Sequence, residues 1–238
     1  MAASAIPFRP WARRMLTPTV EALLALICLL AVVGLGLLAK TAFVTRHDLR
    51  VDVRAEALRS PHGTQLALAL TDAASEVVGI GVLLLAVVVL VLRRRRWDAA
   101  RLVAAAGTAW VLGIVLKSLI GRTRPPATLE LLKPDSAASF PSGHDTTACI
   151  TILVALVVLR GLPRARLVVT ALAVVFAAAV GASRVYLGDH YPTDVLGSWL
   201  TVATAALLVR AFTDLRPVRR AATRLLRDPA PEPIGARS

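Results

Sequence analysis

The sequence predicts an all-α membrane protein in which six transmembrane helices form one bundle. The chain of 238 residues is 56% hydrophobic and only 18% charged, whereas soluble domains are about 45–50% apolar and about 25% charged. Its apolar residues lie in long runs, where a soluble core would have shorter periodic patterns. Because about 20 mostly apolar residues cross a bilayer, we predict six spans. They are Val20–Ala39, Ala73–Leu92, Ala99–Ile120, Thr146–Leu159, Leu167–Tyr186 and Thr193–Phe212.

The first span follows a basic segment, residues 1–19, which we predict to be cytoplasmic. Its apolar run is longer than a signal-peptide core and no clear small-residue cleavage site follows, so we predict that the span is retained. The next connection, Lys40–Asp72, is the only long one on the outer side. Within it, Asp48–Arg59 resembles a short interfacial helix and Ser60–Gly63 a turn. A lid, a ramp for lipid entry and simple packing all remain open for this connection.

Polar residues mark the ends of the next spans. Asp72 and Glu76 begin the second span four residues apart, which predicts that they share one helix face at the water interface. The tetra-arginine Arg93–Arg96 follows this span as an anchor. The fourth span is short, and we predict that it recruits His144 and Asp145 as its first turn.

Basic residues set the orientation of the bundle. Of the 28 lysines and arginines, eighteen lie in the N-terminal segment, the second and fourth connections and the tail, and ten lie on the other side. Both termini are therefore predicted to be cytoplasmic. These flanking residues also explain the net charge of +13, so no nucleic-acid partner is predicted. Cys28 and Cys149 lie inside apolar runs, which disfavours a disulfide framework.

One domain, residues 20–212, accommodates all six spans, because no internal repeat divides the chain. Residues 213–238 form a basic cytoplasmic tail. Disorder is expected for this tail, with contact to anionic lipid head groups as the alternative. The sequence leaves the oligomeric state open.

Three polar clusters interrupt the apolar pattern where spans end or begin. Lys117–Pro126 ends the third span, Phe140–Asp145 begins the fourth, and Ser183–Asp194 joins the fifth to the sixth. Simple alternation of six helices predicts that all three clusters lie at the outer membrane face. Ionisable side chains at such positions are functional candidates when they face the interior of a bundle.

Taken alone, each of these side chains has a structural explanation. The lysine can snorkel to the interface, the arginines can be loop charges, the serine and nearby aspartate match a capping box, and the second histidine can pair with its aspartate. The residues concerned are Lys117, Arg124, Ser142, Asp145, Arg184, His190 and Asp194. Their convergence on one membrane face is harder to explain by independent accidents.

Together the clusters predict a phosphate site. Lys117, Arg124 and Arg184 supply three positive charges, and an arginine can bind two oxygens at once. Ser142-Gly143-His144 opens a helix whose free N–H groups suit an anion, and its glycine allows close backbone approach. The two histidines, His144 and His190, add chemistry, because a neutral imidazole can attack phosphorus and a protonated one can protonate a leaving group.

The motifs Lys117-x6-Arg124-Pro125, Pro141-Ser142-Gly143-His144 and Ser183-Arg184-x5-His190-x3-Asp194 resemble the three-part signature of the type 2 phosphatidic acid phosphatase superfamily. All three parts are complete, correctly ordered and located at the expected span ends. The six-span layout extends the resemblance over residues 20–212, and leaves out the N-terminal segment and the tail.

The resemblance implies a role for each motif residue. His190 would be the nucleophile that forms a phosphohistidine, Asp194 would orient it, and His144 would protonate the leaving group. The phosphate oxygens would be bound by Lys117, Arg124, Ser142, Gly143, Ser183 and Arg184. Because the protein cations neutralise the phosphate, no metal ion or other cofactor is expected, and the sequence has no carboxylate cluster suited to magnesium.

The implied function is hydrolysis of a lipid phosphate or pyrophosphate at the extracytoplasmic surface, with a membrane lipid as substrate. Members of the superfamily act on undecaprenyl pyrophosphate, phosphatidylglycerol phosphate or phosphatidic acid, and the motifs do not distinguish these lipids. A lipid phosphotransferase and a six-span transporter or anion-binding protein are the alternatives.

An aspartate lies beside each histidine of the motifs. Asp145 either favours protonation of His144 or caps the fourth span, and Asp189 is expected to be exposed to solvent.

Overall fold

The structure, a computed structural model, describes residues 17–133 and 136–226, and this part of the chain is almost entirely helical. Nine α-helices follow one another there, with one short 3₁₀-helix at Ala127–Leu129. In chain order they are α1 (Pro18–Ala39), α2 (Ala42–Ala57), α3 (Pro61–Ala73), α4 (Glu76–Leu92), α5 (Arg96–Ile120), α6 (Gly143–Val158), α7 (Pro163–Tyr186), α8 (Pro192–Thr213) and α9 (Arg216–Leu226). The predicted all-α class is confirmed.

Short polar residues and prolines determine where the helices start. Thr17, Ser60 and Ser142 each precede a helix and accept a hydrogen bond from a backbone N–H of its first turn, which satisfies one donor left open at a helix start. Proline is the first residue of α1, α3, α7 and α8, where its missing N–H costs nothing. α5 ends at Gly121, whose φ of 55° lies in the left-handed region that favours glycine.

Four helices of the described ranges, α1, α5, α7 and α8, are long and apolar enough to cross a membrane. A fifth span results if α3 and α4, which are bent by 48° at their junction, are counted together. α6 is apolar but has only 16 residues. The helices therefore support a membrane protein, whereas the predicted number of six spans is not confirmed.

A break in the backbone shortens the predicted second span. Ser75 has a ψ of 155° and separates α3 from α4, so that Glu76 begins a new helix. Asp72 lies on α3, and the prediction that Asp72 and Glu76 share one helix face is therefore wrong. Both side chains are exposed, as expected for residues at a water interface.

The long connection after α1 forms two helices, α2 and α3. α2 begins earlier than the predicted interfacial helix. The prediction of a turn at Ser60–Gly63 is wrong, because Pro61 starts α3 and Ser60 caps it; a serine followed by proline suits a helix start as well as a turn. Tyr186, the last residue of α7, holds this junction, since its hydroxyl accepts a hydrogen bond from the Ser60 N–H at 2.8 Å.

α8 is central to the bundle: it packs along α1 and against α5 and α6, while α7 packs on α6. The core consists of small and aliphatic side chains, among them Leu90, Leu102, Ala106, Ala109 and Val180. Other aliphatic side chains point outward, and Leu30, Leu85 and Leu172 are each more than half exposed. An apolar exterior around a core of small residues is the pattern of a helix bundle that packs within a bilayer.

Arginines hold the end of the bundle opposite to the polar clusters. Arg95, from the tetra-arginine, donates to the carbonyls of Val157 and Val158 at 2.6 and 3.0 Å. It also pairs with Asp98 at 2.8 Å. The tetra-arginine therefore fastens the last turn of α6 to the start of α5, in addition to its predicted role as an anchor.

The basic tail is helical where the structure describes it. The expectation of disorder is wrong for the residues of α9, which is strongly amphipathic. Residues 227–238 lie outside the described ranges, as do residues 1–16 of the predicted N-terminal segment.

Candidate active site

The three polar clusters meet at one end of the bundle, where α5 and α7 end and α6 and α8 begin. The Ser142 N–H donates to the backbone carbonyl of Asp194 at 3.4 Å, and the Ser198 hydroxyl donates to the Ser142 carbonyl at 2.8 Å. Arg124, which follows α5, donates to the backbone carbonyl of Asp189 at 2.8 Å. The segments that helix alternation assigns to one face are thus in direct contact.

His190 is buried within this site, with 1% of its surface exposed. Its Nδ1 lies 3.5 Å from Oδ2 of Asp194, at the outer limit of a hydrogen bond. Its Nε2 lies 3.4 Å from Nη1 of Arg124 and 3.5 Å from Oδ2 of Asp189. A proton on Nδ1, facing Asp194, leaves the lone pair of Nε2 directed toward Arg124.

Burial lowers the pKa of His190 to about 4, because the desolvated imidazolium is less stable than the neutral ring. The Asp194 carboxylate acts in the opposite direction, and the positive charges of Arg124 and Lys117 lower the pKa further. The imidazole is therefore neutral at neutral pH, which is the state in which it can act as a nucleophile.

A buried arginine holds Asp194 in place. Arg122, with 2% of its surface exposed, has Nη1 2.6 Å from Oδ1 of Asp194 and Nη2 2.7 Å from Oδ2 of Asp48 on α2. Its guanidinium also lies 4.1 Å from the centre of the Tyr191 ring. Oδ2 of Asp194 accepts the Tyr191 N–H at 2.9 Å. Asp194 is thereby fixed on both oxygens, with Oδ2 directed toward His190.

α2 contributes two carboxylates to this region. Asp48 accepts a hydrogen bond from the Thr193 hydroxyl at 2.5 Å as well as the ion pair from Arg122. Asp52, one turn later, is buried, and burial together with the charges of Asp48 and Asp194 raises its pKa to about 8. An outer helix that carries none of the three motifs therefore forms one wall of the site.

Arg124 and Arg184 converge on the carboxylate of Asp189. Oδ1 lies 2.5 Å from Nη1 of Arg124, and Oδ2 accepts a hydrogen bond from Nη2 of Arg184. Asp189 is 1% exposed, so the expectation that it faces solvent is wrong. The physical reason is that two buried guanidinium groups lie within reach of this short connection, and they draw the carboxylate inward.

Lys117 and Ser183 lie at the same end of the bundle. Nζ of Lys117 donates to the Ala138 carbonyl at 3.0 Å. The Ser183 hydroxyl donates to the Val180 carbonyl at 2.7 Å and lies 3.4 Å from the Thr71 hydroxyl of α3. The lysine therefore lies at the end of its helix, as expected, and the serine hydroxyl contacts both its own helix, α7, and α3.

Ser142, Gly143 and His144 form the start of α6. Ser142 is buried and caps the helix, since its hydroxyl accepts the Asp145 N–H at 3.4 Å. Gly143 and His144 are half-buried in the first turn. The Asp145 carboxylate is buried against Gly181 of α7, so only its backbone, and not its carboxylate, takes part in the cap.

Sequence reasoning missed Arg122, Asp48 and Asp52 as members of the site. Asp48 and Asp52 are four residues apart and share one helix face, but this spacing alone does not distinguish a buried acidic pair from an exposed one. Arg122 lies two residues before Arg124 and was counted only as a basic residue of an outer connection. Nothing in its spacing distinguishes it from such a residue.

Within residues 17–133 and 136–226, no group of three or more histidine, cysteine, aspartate or glutamate side chains is arranged to hold a metal ion. Instead, Asp48, Asp189 and Asp194 are each paired with an arginine. Independence of a metal ion stays a prediction.

Comparison with known proteins links the site to one family. The family model of the PAP2 superfamily matches residues 98–217. Phosphatidylglycerophosphatase B of Bacillus subtilis is 38% identical over 125 residues, which cover 51% of this chain and 61% of that protein. Undecaprenyl-diphosphatase BcrC of the same species is 38% identical over 117 residues, which cover 46% of this chain and 57% of that protein. The chain thus spans less than two thirds of these relatives.

The likeness extends to the fold. A crystal structure of a transmembrane PAP2-type phosphatidylglycerolphosphate phosphatase from Bacillus subtilis superimposes with a TM-score of 0.69 and 30% sequence identity. The match covers 83% of this chain and 96% of the other. It therefore includes helices outside the 98–217 region.

Proposed function

Because the chain belongs to the PAP2 superfamily, we propose that it is an integral-membrane lipid phosphatase. It hydrolyses a lipid phosphate or pyrophosphate through a phosphohistidine on His190, without a metal ion. The observation that carries the proposal is the position of His190, whose Nδ1 faces Asp194 at 3.5 Å while its Nε2 faces Arg124 at 3.4 Å. One nitrogen thus faces a carboxylate, and the other, which lies beside a cation, is the one that attacks phosphorus.

The reaction has two steps. Nε2 of His190 attacks phosphorus, and the bond between phosphorus and the leaving oxygen breaks while His144 donates a proton to that oxygen. Asp194 stabilises the imidazolium that forms. Water then attacks the phosphohistidine, His144 takes up its proton, and the P–N bond breaks to release inorganic phosphate and restore the neutral His190.

Positive charge stabilises the phosphoryl group during both steps. Arg124 lies 3.4 Å from Nε2 of His190, Arg184 pairs with the neighbouring Asp189, and the charge of Lys117 acts on His190. The helix start formed by Ser142 and Gly143 adds backbone N–H donors. Because these groups are fixed and largely buried, they act in a region of low dielectric constant, where donors directed at developing charge are most effective.

The membrane side follows from the distribution of basic residues. The sequence assigns eighteen of the 28 lysines and arginines to the N-terminal segment, the second and fourth connections and the tail, and ten to the other side. By the positive-inside rule, the site end is extracytoplasmic and both termini are cytoplasmic. The substrate head group is then presented from the outer leaflet.

The substrate is a lipid with a terminal phosphate. The names of the relatives point to phosphatidylglycerophosphate and undecaprenyl diphosphate as substrate classes, and phosphatidic acid has the same terminal group. A panel of these lipids compared by kcat/KM with the purified full chain distinguishes them.

Phosphate release from this panel, measured in detergent with EDTA present, tests the proposal. We expect release at the same rate with and without the chelator, because protein cations replace the metal. Loss of activity on chelation contradicts metal independence. Binding of phosphate without release from any lipid favours a transporter or anion-binding protein, and transfer to an added alcohol in place of water favours a phosphotransferase.

The acid side of the pH profile should reflect the low pKa of His190. Protonation removes the attacking lone pair, so kcat/KM should fall as the pH drops through about 4, rather than through the ~6.5 of an ordinary histidine. The measurement is kcat/KM against pH, corrected for the ionisation of the substrate itself. A half-maximal point near the ordinary histidine value would show that His190 is not desolvated in the working enzyme.

A further inference from the structure

The carboxylate of Asp189 is surrounded by groups that the proposed function directs at a phosphoryl group. It is paired with Arg124 at 2.5 Å and with Arg184, and its Oδ2 is 3.5 Å from Nε2 of His190. These are the two arginines and the one nitrogen that the reaction directs at phosphate oxygens and phosphorus. With 1% of its surface exposed, Asp189 belongs to the interior of the site and not to its rim.

Each arginine also has hydrogen-bond partners other than this carboxylate. Nε of Arg124 donates to the Ser136 carbonyl at 2.6 Å, and its Nη1 donates to the backbone carbonyl of Asp189 at 2.8 Å. Nη1 of Arg184 donates to the Thr71 hydroxyl at 3.2 Å. Both guanidinium groups therefore keep other partners when the carboxylate moves away, which is what an exchange of one anion for another requires.

We propose that Asp189 sets the affinity of the site, as an internal anion on the arginines that bind the phosphoryl group, which every ligand must displace. This inference rests on the proposed function, because it uses the same arginines. The free energy needed to displace the carboxylate is the same for any anion, so it lowers all affinities by one factor. Anions that bind weakly to the arginines then no longer occupy the site, whereas anions that bind strongly still do.

The chemistry of the surrounding bilayer explains what such a threshold excludes. Most phospholipid head groups are phosphodiesters with one negative charge, which equals that of the carboxylate. A terminal phosphate carries a charge of about −1.5 to −2 and three acceptor oxygens, so it gains more from two arginines and a lysine. The arginines and the lysine supply the preference for terminal phosphates, and Asp189 lowers the affinity for the abundant diesters to a level at which they no longer occupy the site.

Direct binding of two small anions tests this without any turnover. The probes are inorganic phosphate at pH 8 and dimethyl phosphate, titrated calorimetrically into the purified full chain and into Asp189→Asn. We expect both anions to bind the variant about tenfold more tightly or better, the scale of a lost charge-assisted hydrogen bond, and by a similar factor for each. Wild-type binding of dimethyl phosphate below detection, with measurable binding to the variant, supports the same conclusion.

Asp98→Asn is the matched control. Asp98 also bridges two arginines, Arg95 at 2.8 Å and Arg160 at 3.4 Å, but at the opposite end of the bundle. The control therefore makes the same charge change, and it should leave both affinities unaltered. Asp189→Ala, which removes the carboxylate altogether, serves as the second variant if Asp189→Asn does not fold.

Two results overturn the proposal. Weaker binding of both anions to the Asp189 variants would show that the carboxylate orients the arginines. A gain that is much larger for the dianion would show that Asp189 stays beside the ligand and repels it, without being displaced. If the wild type binds phosphate but releases none from any lipid, the proposed function fails while the displacement by anions is still measured.

Inhibition of phosphate release by a phosphodiester lipid tests the same proposal in a membrane-like environment. In mixed micelles, phosphatidylglycerol should inhibit phosphate release by Asp189→Asn at mole fractions that leave the wild type unaffected. Equal resistance of the two proteins to this diester would contradict the proposal that Asp189 lowers the affinity of the site.

Discussion

Replacement of His190 by alanine should abolish phosphate release from every lipid of the panel. The variant lacks the atom that forms the covalent intermediate, and loss of a nucleophile typically reduces kcat by ~10⁴-fold or more. The residual rate should reflect only the electrostatic effect of the arginines. The measurements are single-turnover phosphate release and the trapping of labelled phosphate on the protein.

His62→Ala is the control, because His62 lies exposed on α3. It should release phosphate and trap label as the wild type does. Retention of turnover in His190→Ala would contradict the assignment of the nucleophile, and label that remains on the His190 variant would point to another residue.

Replacement of Arg122 by glutamine should damage both stability and catalysis. The substitution leaves the buried carboxylates of Asp48 and Asp194 without their shared cation, at distances of 2.7 and 2.6 Å in the wild type. Loss of one partner from a buried ion pair costs about 3–5 kcal/mol. Because Asp194 is then no longer fixed on Oδ1, we also expect a reduction of kcat by ~10- to 100-fold, the scale of lost support for a functional group.

The midpoint of thermal unfolding in detergent and kcat measure the two effects. Arg122→Lys keeps the charge but cannot hold two carboxylates in the same geometry, so it should fall between the wild type and the glutamine variant. Arg101→Gln is the control, since its ion pair with Asp214 at 3.2 Å is partly exposed and should contribute less than about 1 kcal/mol. Equal stability losses for Arg122→Gln and Arg101→Gln would contradict the assigned importance of the buried network.

The sequence predicts the site where polarity conflicts with the membrane. Lys117, His144 and His190 stand out because charged or titratable groups are costly in apolar segments, and alternation of helices is enough to bring them to one end. Asp189 shows the limit of this reasoning. Its position in a short connection indicates exposure, whereas its burial depends on pairing with Arg184, five residues earlier at the end of α7, and with Arg124, which follows α5.

The number of spans could not be predicted for a similar reason. The prediction counts apolar residues, whereas the length of a helix also depends on its caps. Ser142 fixes the start of α6, and Ser75 divides the region that begins with α3. The break at Ser75 shortens the second predicted span, whereas the cap at Ser142 starts α6 at Gly143, before the predicted Thr146, and the helix still has only 16 residues.

The contribution of α2 limits how far the catalytic part of the chain can be separated from the rest. The region that matches the family model begins at residue 98, yet Asp48, which neutralises Arg122, lies fifty residues upstream of it. A fragment trimmed to the matched region retains every signature residue and loses this carboxylate. Transplanting the signature helices into another scaffold therefore also requires an acidic partner for Arg122, supplied from outside the matched region.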